Sequence, residues 1–547
     1  MGWSNDFRSI LRNANSIVPK YQLRFLYVGV HGPISGDIII SSVNEYNGCK
    51  IANIGPQLNG CSVIPQRWSV SFGGFSVPVV GDIRKLNKFV PRGCFAELLV
   101  DLGTGFERLA LGQLRNIKKN IPRYDFIFAD LVGSLQLSTD NRYLSTIGTA
   151  TTARPYQTIF RGIGIEDTLS VNYTAGDTRL YVNNLDFYQK ESGEDGRVKI
   201  VSGSNTFYLT WSGKGTNYLE VGTSHVYPSI QAVADAPAAS TQVFSVATLE
   251  GFPGDILGKI VTSTGSGANG QYDKYPQEWS AGGTQFTGVL NANLIDSGDI
   301  DDQKYVIALP NQDPNYKWKY ILESEFTNGL RDLTTIAANY GQWPIWRQNS
   351  LSWRGCIDPY GDASHNFFRR KYAVNDSNII KVVNHELYNS QVGQVYTANA
   401  NLHTVEFGGN GQRLRKTFFV NGQALLSAPT LGIIERGNSY SYFGDIYTSG
   451  GRTIRQNHSS NDLSRMLGWD SFTHEKLELE CTLALCNVVA GDIVAITSKY
   501  LYGICEGINQ YYDNRLGMVL SCNYSLSRGS CRLTIGILPT KQFRSKS

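Results

Sequence analysis

The chain has 547 residues, 41% of them hydrophobic and 18% charged, with a formal net charge of +4. It is too long for one hydrophobic core and predicts about three or four domains, and its hydrophobic content excludes a disordered chain. The near-neutral balance excludes the basic footprint of a nucleic-acid binder, and no run approaches the about 18 apolar residues of a membrane-spanning helix.

The first twenty residues, MGWSNDFRSILRNANSIVPK, lack the apolar core and cleavage site of a signal peptide. They predict a short amphipathic helix with Phe7, Ile10 and Leu11 on one face. The Met-Gly start is a poor myristoylation match, because Asp6 stands where Ser or Thr is expected. Folding in cytoplasm is therefore the expectation, with the nine cysteines as thiols. Residues 21–130 are strand-rich: YQLRFLYVGV, DIIISSV, WSVSFGGFSVPVVGDI, two strands around the turn DLGTG, and RYDFIFADL. Turn punctuation every about 8 to 12 residues suggests a barrel or sandwich. Residues 167–222 read as a small β module with strands TRLYVNN, RVKIVSG and TFYLTWS, and DAPAAS follows as a linker.

The next hundred residues are mixed. DILGKIV, from Asp255 to Val261, has helical spacing with Asp255 as N-cap. It runs into a loop with Gly265, Gly267 and Gly270, and then into Tyr272, Tyr275 and Trp279. In YILESEFTNGLRDLTTIAANYG, residues Ile321, Leu322, Phe326, Leu330, Leu333, Ile336 and Ala337 follow helical spacing, with Gly329 an unfavourable interruption. Strands return from about residue 346. They are broken by a short helix capped by Asn461 and carrying Leu463, Met466 and Leu467. Near the end an alternating strand through Leu477, Leu479, Cys481, Leu483 and Leu485 leads to a turn at Gly491-Asp492 and then to IVAIT. The basic end KQFRSKS reads as a solvated tail.

The run TSTGSGANG has neither the Lys-Ser/Thr ending of a phosphate loop nor the strand-before, helix-after context of a dinucleotide site. The seven histidines (His31, His225, His365, His385, His403, His458, His474) show no pair at metal spacing, and no G-x-S-x-G elbow occurs. The acidic DSGDIDD fails as a calcium loop, with Asp301 at the glycine position and Ile307 at the distal glutamate position, and reads as a solvated turn. Carboxylate pairs for glycoside hydrolysis are set by three-dimensional separation, and the sequence singles none out. Cys481, Cys522 and Cys531 lie in or beside apolar strands. They read as buried thiols, or alternatively as ligands of a metal or iron–sulfur site, for which no C-x-x-C pair speaks.

Several segments in one order resemble the tail-tip and baseplate hub proteins of long-tailed bacteriophages. They are DTLSVNYTAGDTRLYVNN with GRVKIVSGSNTFYLTWSG, DILGKIVTSTGSG with YDKYPQEW, ESEFTNGLRDLTTIAANYG with PIWRQNSLSWRGC, and LSRMLGWDSFTHEKLELECTLALCNVVAGDIVAIT. Together they span roughly 170–540. The resemblance implies a mainly β, multidomain chain with a few short helices. Residues 1–166 would form an N-terminal hub domain, 167–235 the small module, 236–345 a mixed helical connecting domain, and 346–547 a C-terminal barrel domain. It implies a homotrimer whose tube-like β-barrels meet the tail tube. Its neighbours would be the distal tail or tube protein, the tip or spike, the tape measure protein, and tail fibre or other baseplate proteins. The expected location is the virion, after assembly in the host cytoplasm. No enzyme activity, cofactor, metal or catalytic residue is expected. The alternative is a receptor- or carbohydrate-binding tail component, since aromatic-rich β proteins can stack on sugars.

Overall fold

The computed structural model describes residues 4–13, 18–28, 38–64, 69–86, 94–130, 166–174, 176–188, 196–203, 205–227, 239–251, 279–281, 284–286, 318–322, 342–347, 350–355, 371–388, 392–398, short strands within 414–453, 474–503 and 511–537. The fold is mainly β. Among the described residues there is one α-helix, α1 (Asn5–Asn13). Ser4 caps it, its hydroxyl accepting from the Phe7 amide at 3.1 Å. Phe7 and Leu11, one turn apart, are buried, while Ile10 is half-buried.

Nine strands come from the N-terminal quarter: β1 (Lys20–Val28), β2 (Ile38–Ser41), β3 (Lys50–Ile51), β4 (Gln57–Ile64), β5 (Ser69–Ser71), β6 (Gly74–Val80), β7 (Cys94–Asp101), β8 (Phe106–Asn120) and β9 (Arg123–Asp130). Their alternating apolar residues face one core, where Phe25, Phe75, Phe126 and Phe128 are buried together. Phe75 stacks on Phe128 with centroids 4.5 Å apart. The small module supplies β10 (Glu166–Thr168), β11 (Arg179–Tyr181), β12 (Gly196–Ser202), β13 (Asn205–Lys214) and β14 (Tyr218–Tyr227). β15 (Gln242–Gly251) pairs with both β12 and β10 and completes that sheet from beyond the linker. Asp167 ties the module together, accepting from the Asn184 amide at 3.0 Å and the Tyr188 hydroxyl at 3.2 Å.

Further along come β16 (Trp279–Ala281), β17 (Thr284–Phe286), β18 (Trp318–Leu322), β19 (Gln342–Arg347), β20 (Ser350–Gly355), β21 (Lys371–Asn375) and β22 (Ile379–Tyr388). The region after them holds β23 (Val392–Ala398), β24 (Leu414–Thr417), β25 (Phe419–Val420), β26 (Gln423–Ala424), β27 (Gly432–Gly437), β28 (Tyr442–Gly444), β29 (Thr448–Ser449) and β30 (Arg452–Thr453). The last strands are β31 (His474–Thr482), β32 (Ile493–Tyr502), β33 (Tyr511–Ser525) and β34 (Ser530–Ile537).

Both ends of the chain share one 15-stranded sheet, in the order β2-β1-β7-β8-β9-β6-β4-β33-β34-β31-β22. β3 adds to β6, β5 to β4, β32 to β33 and β21 to β32. The seam between the N-terminal and C-terminal strands is the β4–β33 pairing, with Ser62 opposite Ser521 and Leu58 opposite Tyr524. β33 is long enough to carry β32 along Tyr511–Met518 and β4 along Ser521–Tyr524 on one edge, with a register shift between. Such an irregularity bends a strand and increases its twist. The sheet packs on two cores, one mainly of N-terminal residues joined by Leu483, Cys486 and Leu526, the other of C-terminal residues.

Two expectations are corrected. Ile321 and Leu322 lie in a strand, not a helix, because Trp318–Leu322 pairs with the free edge of β15. Tertiary pairing overrides the helical spacing there, and residues 326–337 of that reading lie outside the described residues. The alternating strand stops at Thr482, and Leu483–Leu485 forms a single 3-10 turn. Leu483 and Cys486 enter the N-terminal core, whereas Leu485 and Val488 enter the C-terminal core. A continuing strand would have kept Leu483 and Leu485 on one face.

Candidate functional site

The residues that concentrate structure and charge lie at the junction of the two halves. α1 packs on the Leu483–Leu485 turn, so Phe7 and Leu11 share a core with Leu483, Cys486 and Leu526. The chain then turns at Gly491, whose φ is +91°. Its amide donates to the Val519 carbonyl at 2.7 Å, and the Val519 amide donates to the Asp492 carbonyl at 2.9 Å. The turn therefore does join two strands, but β31 and β32 are not neighbours, since β34 and β33 lie between them.

Asp492 is buried beside a buried arginine. Arg354 Nε donates to Asp492 Oδ1 at 2.9 Å, and each side chain is 2% exposed. Asp492 Oδ2 accepts from the Val489 amide at 3.0 Å. Arg354 Nη1 donates to the Trp353 carbonyl at 2.9 Å and to Ser352 Oγ at 3.1 Å. These bonds fix the β19–β20 hairpin, with its buried Trp343, Ile345 and Trp353, on the Gly491 turn. A Cβ at Gly491 would stand 2.6 Å from Arg354 Cβ and 3.3 Å from the Trp343 ring. Gly491→Val should therefore combine about 1–3 kcal/mol of backbone strain with an overpacking cost of similar size. Gly103, with φ +107° and open space around it, is the control: Gly103→Val should show the backbone cost alone. Urea denaturation of the two variants checks this, and equal losses would refute the crowding at Gly491.

Beside the turn lies a cavity of about 80 Å³, with Gly60, Phe75 and Asp130 from one half and Cys486, Asn487 and Cys522 from the other. Asp130 is buried and accepts from the Cys61 thiol at 3.9 Å. Burial pulls the nearby Arg115 guanidinium below its ordinary range, and the Asp130 charge opposes that shift. The volume suits a few waters rather than an organic substrate, whose pockets run to about 300–1,000 Å³.

A second polar cluster was not legible in the sequence. His385 Nε2 lies 2.7 Å from Glu475 Oε2, and the Tyr512 hydroxyl donates to the same oxygen at 2.5 Å. Glu475 is 1% exposed. The three side chains come from β22, β31 and β33 and hold those strands together. Of the other histidines, His225 lies on β14 and His474 on β31, while His31, His365, His403 and His458 fall outside the described residues. Among the described residues no group of three or more His, Cys, Asp or Glu is placed to hold a metal ion.

Cys481, Cys522 and Cys531 are buried thiols of the C-terminal core, and the Cys486 thiol, which enters the N-terminal core, lies near Cys522 and Cys531. Cys49 and Cys61 are also buried, and neither is in a disulfide. Burial pushes the Cys481 and Cys486 thiols well above their ordinary range. The glycine loop with Gly265, Gly267 and Gly270, its neighbours Tyr272 and Tyr275, the acidic run 296–302 and the helix expected at Asn461–Leu467 lie outside the described residues. Trp279 opens β16, opposite Phe286. On the surface, Tyr500, Tyr502 and Tyr511 are exposed, with Tyr502 directly opposite Tyr511.

No protein-family model matches the sequence, and no curated protein matches it. Among solved structures the chain is similar to the 43 kDa tail protein of prophage MuSo2 from Shewanella oneidensis. That match has 8% identity and a TM-score of 0.35, covering 96% of this chain and 99% of that one. It is also similar to a tail protein from Neisseria meningitidis MC58, at 9% identity and TM-score 0.32, covering 96% and 98%. A third match is prophage tail protein gp18 from Listeria monocytogenes EGD-e, at 8% identity and TM-score 0.32, covering 94% of each chain.

Proposed function

We propose that the chain is a structural protein of a bacteriophage tail, the central hub of the tail tip or baseplate. In this role it joins the tail tube to the distal tip or spike and carries the surrounding fibre or baseplate proteins, with the tape measure protein ending on it. The observation that carries the proposal is the single sheet, with two cores, in which the N-terminal and C-terminal strands join through β4 and β33. One chain thereby offers two β surfaces in a fixed relation, so three copies offer six to a sixfold tube. The ordered sequence resemblance across residues 170–540 supports the same reading. The buried Arg354–Asp492 pair and the 3-10 turn serve rigidity between the halves rather than chemistry on a substrate.

The expected result is three copies at the tail end, counted by reconstruction of purified particles or by mass measurement of the isolated tip complex. Six copies, or one, would overturn the hub assignment. The exposed Tyr500, Tyr502 and Tyr511 favour a second reading, a carbohydrate-binding tail component, because tyrosine faces stack on sugar rings. A Tyr500→Ala, Tyr502→Ala double variant that loses adsorption to host envelopes while assembling normally would favour that reading over the hub.

A further inference from the structure

We propose that Cys481 and Cys531 close a cross-strand disulfide when the folded protein meets a small peroxide, locking β31 to β34. The two residues are directly opposite in the antiparallel β31–β34 ladder. Both are fully buried and both face the same core. Opposed residues on antiparallel strands have Cα atoms about 4.5–5.5 Å apart, inside the range a disulfide spans. Cys522 is the rival partner, since its thiol is hydrogen-bonded to Cys531. Its register partner is Leu533, however, which places it diagonally from Cys531. Diagonal neighbours are about 7–8 Å apart, beyond bridging range without backbone movement.

The cavity at the junction is lined by Cys486 and Cys522 but not by Cys481 or Cys531, so a small oxidant reaches that pair when the β31–β34 ladder opens locally. The Cys531 sulfur, as thiolate, attacks one peroxide oxygen, the O–O bond breaks, and the departing hydroxide takes up the proton released by the thiol to become water. The Cys481 sulfur then attacks the resulting sulfenic sulfur. The S–S bond forms, the S–O bond breaks, and the hydroxyl leaves as water with the Cys481 proton. Two thiols are oxidised to one disulfide, and one peroxide is reduced to two waters. Deep burial disfavours the thiolate and makes the closure slow. On the tail reading above, the protein folds in a reducing cytoplasm and works outside the cell, so the lock sets after release.

The test is to hold the purified full-length chain in millimolar hydrogen peroxide, alkylate it in denaturant, and map its peptides by mass spectrometry. The expected product is a linked pair containing Cys481 and Cys531, with a melting temperature raised by about 2–8 °C. Cys522→Ala should keep the link, whereas Cys481→Ala and Cys531→Ala should abolish it. A Cys522–Cys531 link, or complete alkylation of both thiols after prolonged exposure, would overturn the proposal. If the alanine variants at 481 and 531 fail to fold, the wild-type peptide map decides alone. Copy number at the tail end is read independently, so failure here leaves the hub reading standing.

Discussion

Gly60→Ala is expected to cost about 3 kcal/mol or more, although it adds a single methyl group. Gly60 sits on β4 at the seam, where its amide donates to Asn523 Oδ1 at 3.1 Å. A Cβ there would lie 2.2 Å from the Cys522 carbonyl oxygen. That oxygen belongs to the backbone of β33, so no side-chain rotation relieves the contact and the strands must separate. Overpacking of a close-packed site typically costs about 1–3 kcal/mol, and here the lost β4–β33 pairing adds to it. Gly203, in the small module with open space around it, serves as the comparison, and Gly203→Ala should cost about 1 kcal/mol through its positive φ alone. Denaturation midpoints would separate the two, and hydrogen exchange should show lost protection in β4 and in Ser521–Tyr524. A Gly60→Ala protein as stable as wild type would show that the strands do not approach this closely.

Arg354→Leu is expected to destabilise the protein by about 3–5 kcal/mol, because it strands a buried carboxylate. Asp492 would keep the Val489 amide as a donor, but its other oxygen would lose Arg354. Asp492→Leu should cost a similar amount by leaving the guanidinium uncompensated. The double variant should cost markedly less than the sum, since neither charge is then abandoned. Urea denaturation of the three variants measures this coupling. Additive losses would mean that the two side chains are held separately.

The sequence made the strands of residues 20–130 and 166–227 readable because each alternates around its own nearby turn. β7, the DLGTG turn and β8 illustrate this: Asp101 Oδ1 accepts from the Gly103 and Gly105 amides within the same few residues. The helix at Phe7 and Leu11 was readable for the same reason. What was not readable depends on distant partners. Trp318–Leu322 becomes a strand only because β15 offers an edge. Leu483 and Leu485 keep a two-residue spacing, yet they serve different cores, and only the junction of two halves makes that possible. The His385–Glu475–Tyr512 cluster and the Arg354–Asp492 pair draw on residues far apart in the chain, which no local motif marks. Cys481, Cys522 and Cys531 were legible as buried thiols, because an apolar strand environment is a local property.

The seam also sets an order of events during synthesis. Gly60 and Asn523 are 463 residues apart in the chain. While the ribosome makes everything between them, β4 has no β33 to pair with, and its outer edge stays open. Long-range strand pairing of this kind is slow, because loop closure must precede the contacts that reward it. An open strand edge in a nascent chain is also a template for pairing with another copy. Premature termination anywhere before residue 521 should therefore yield aggregates rather than a folded N-terminal fragment. Supplying the missing C-terminal strands as a separate polypeptide during expression is the rescue that this topology predicts.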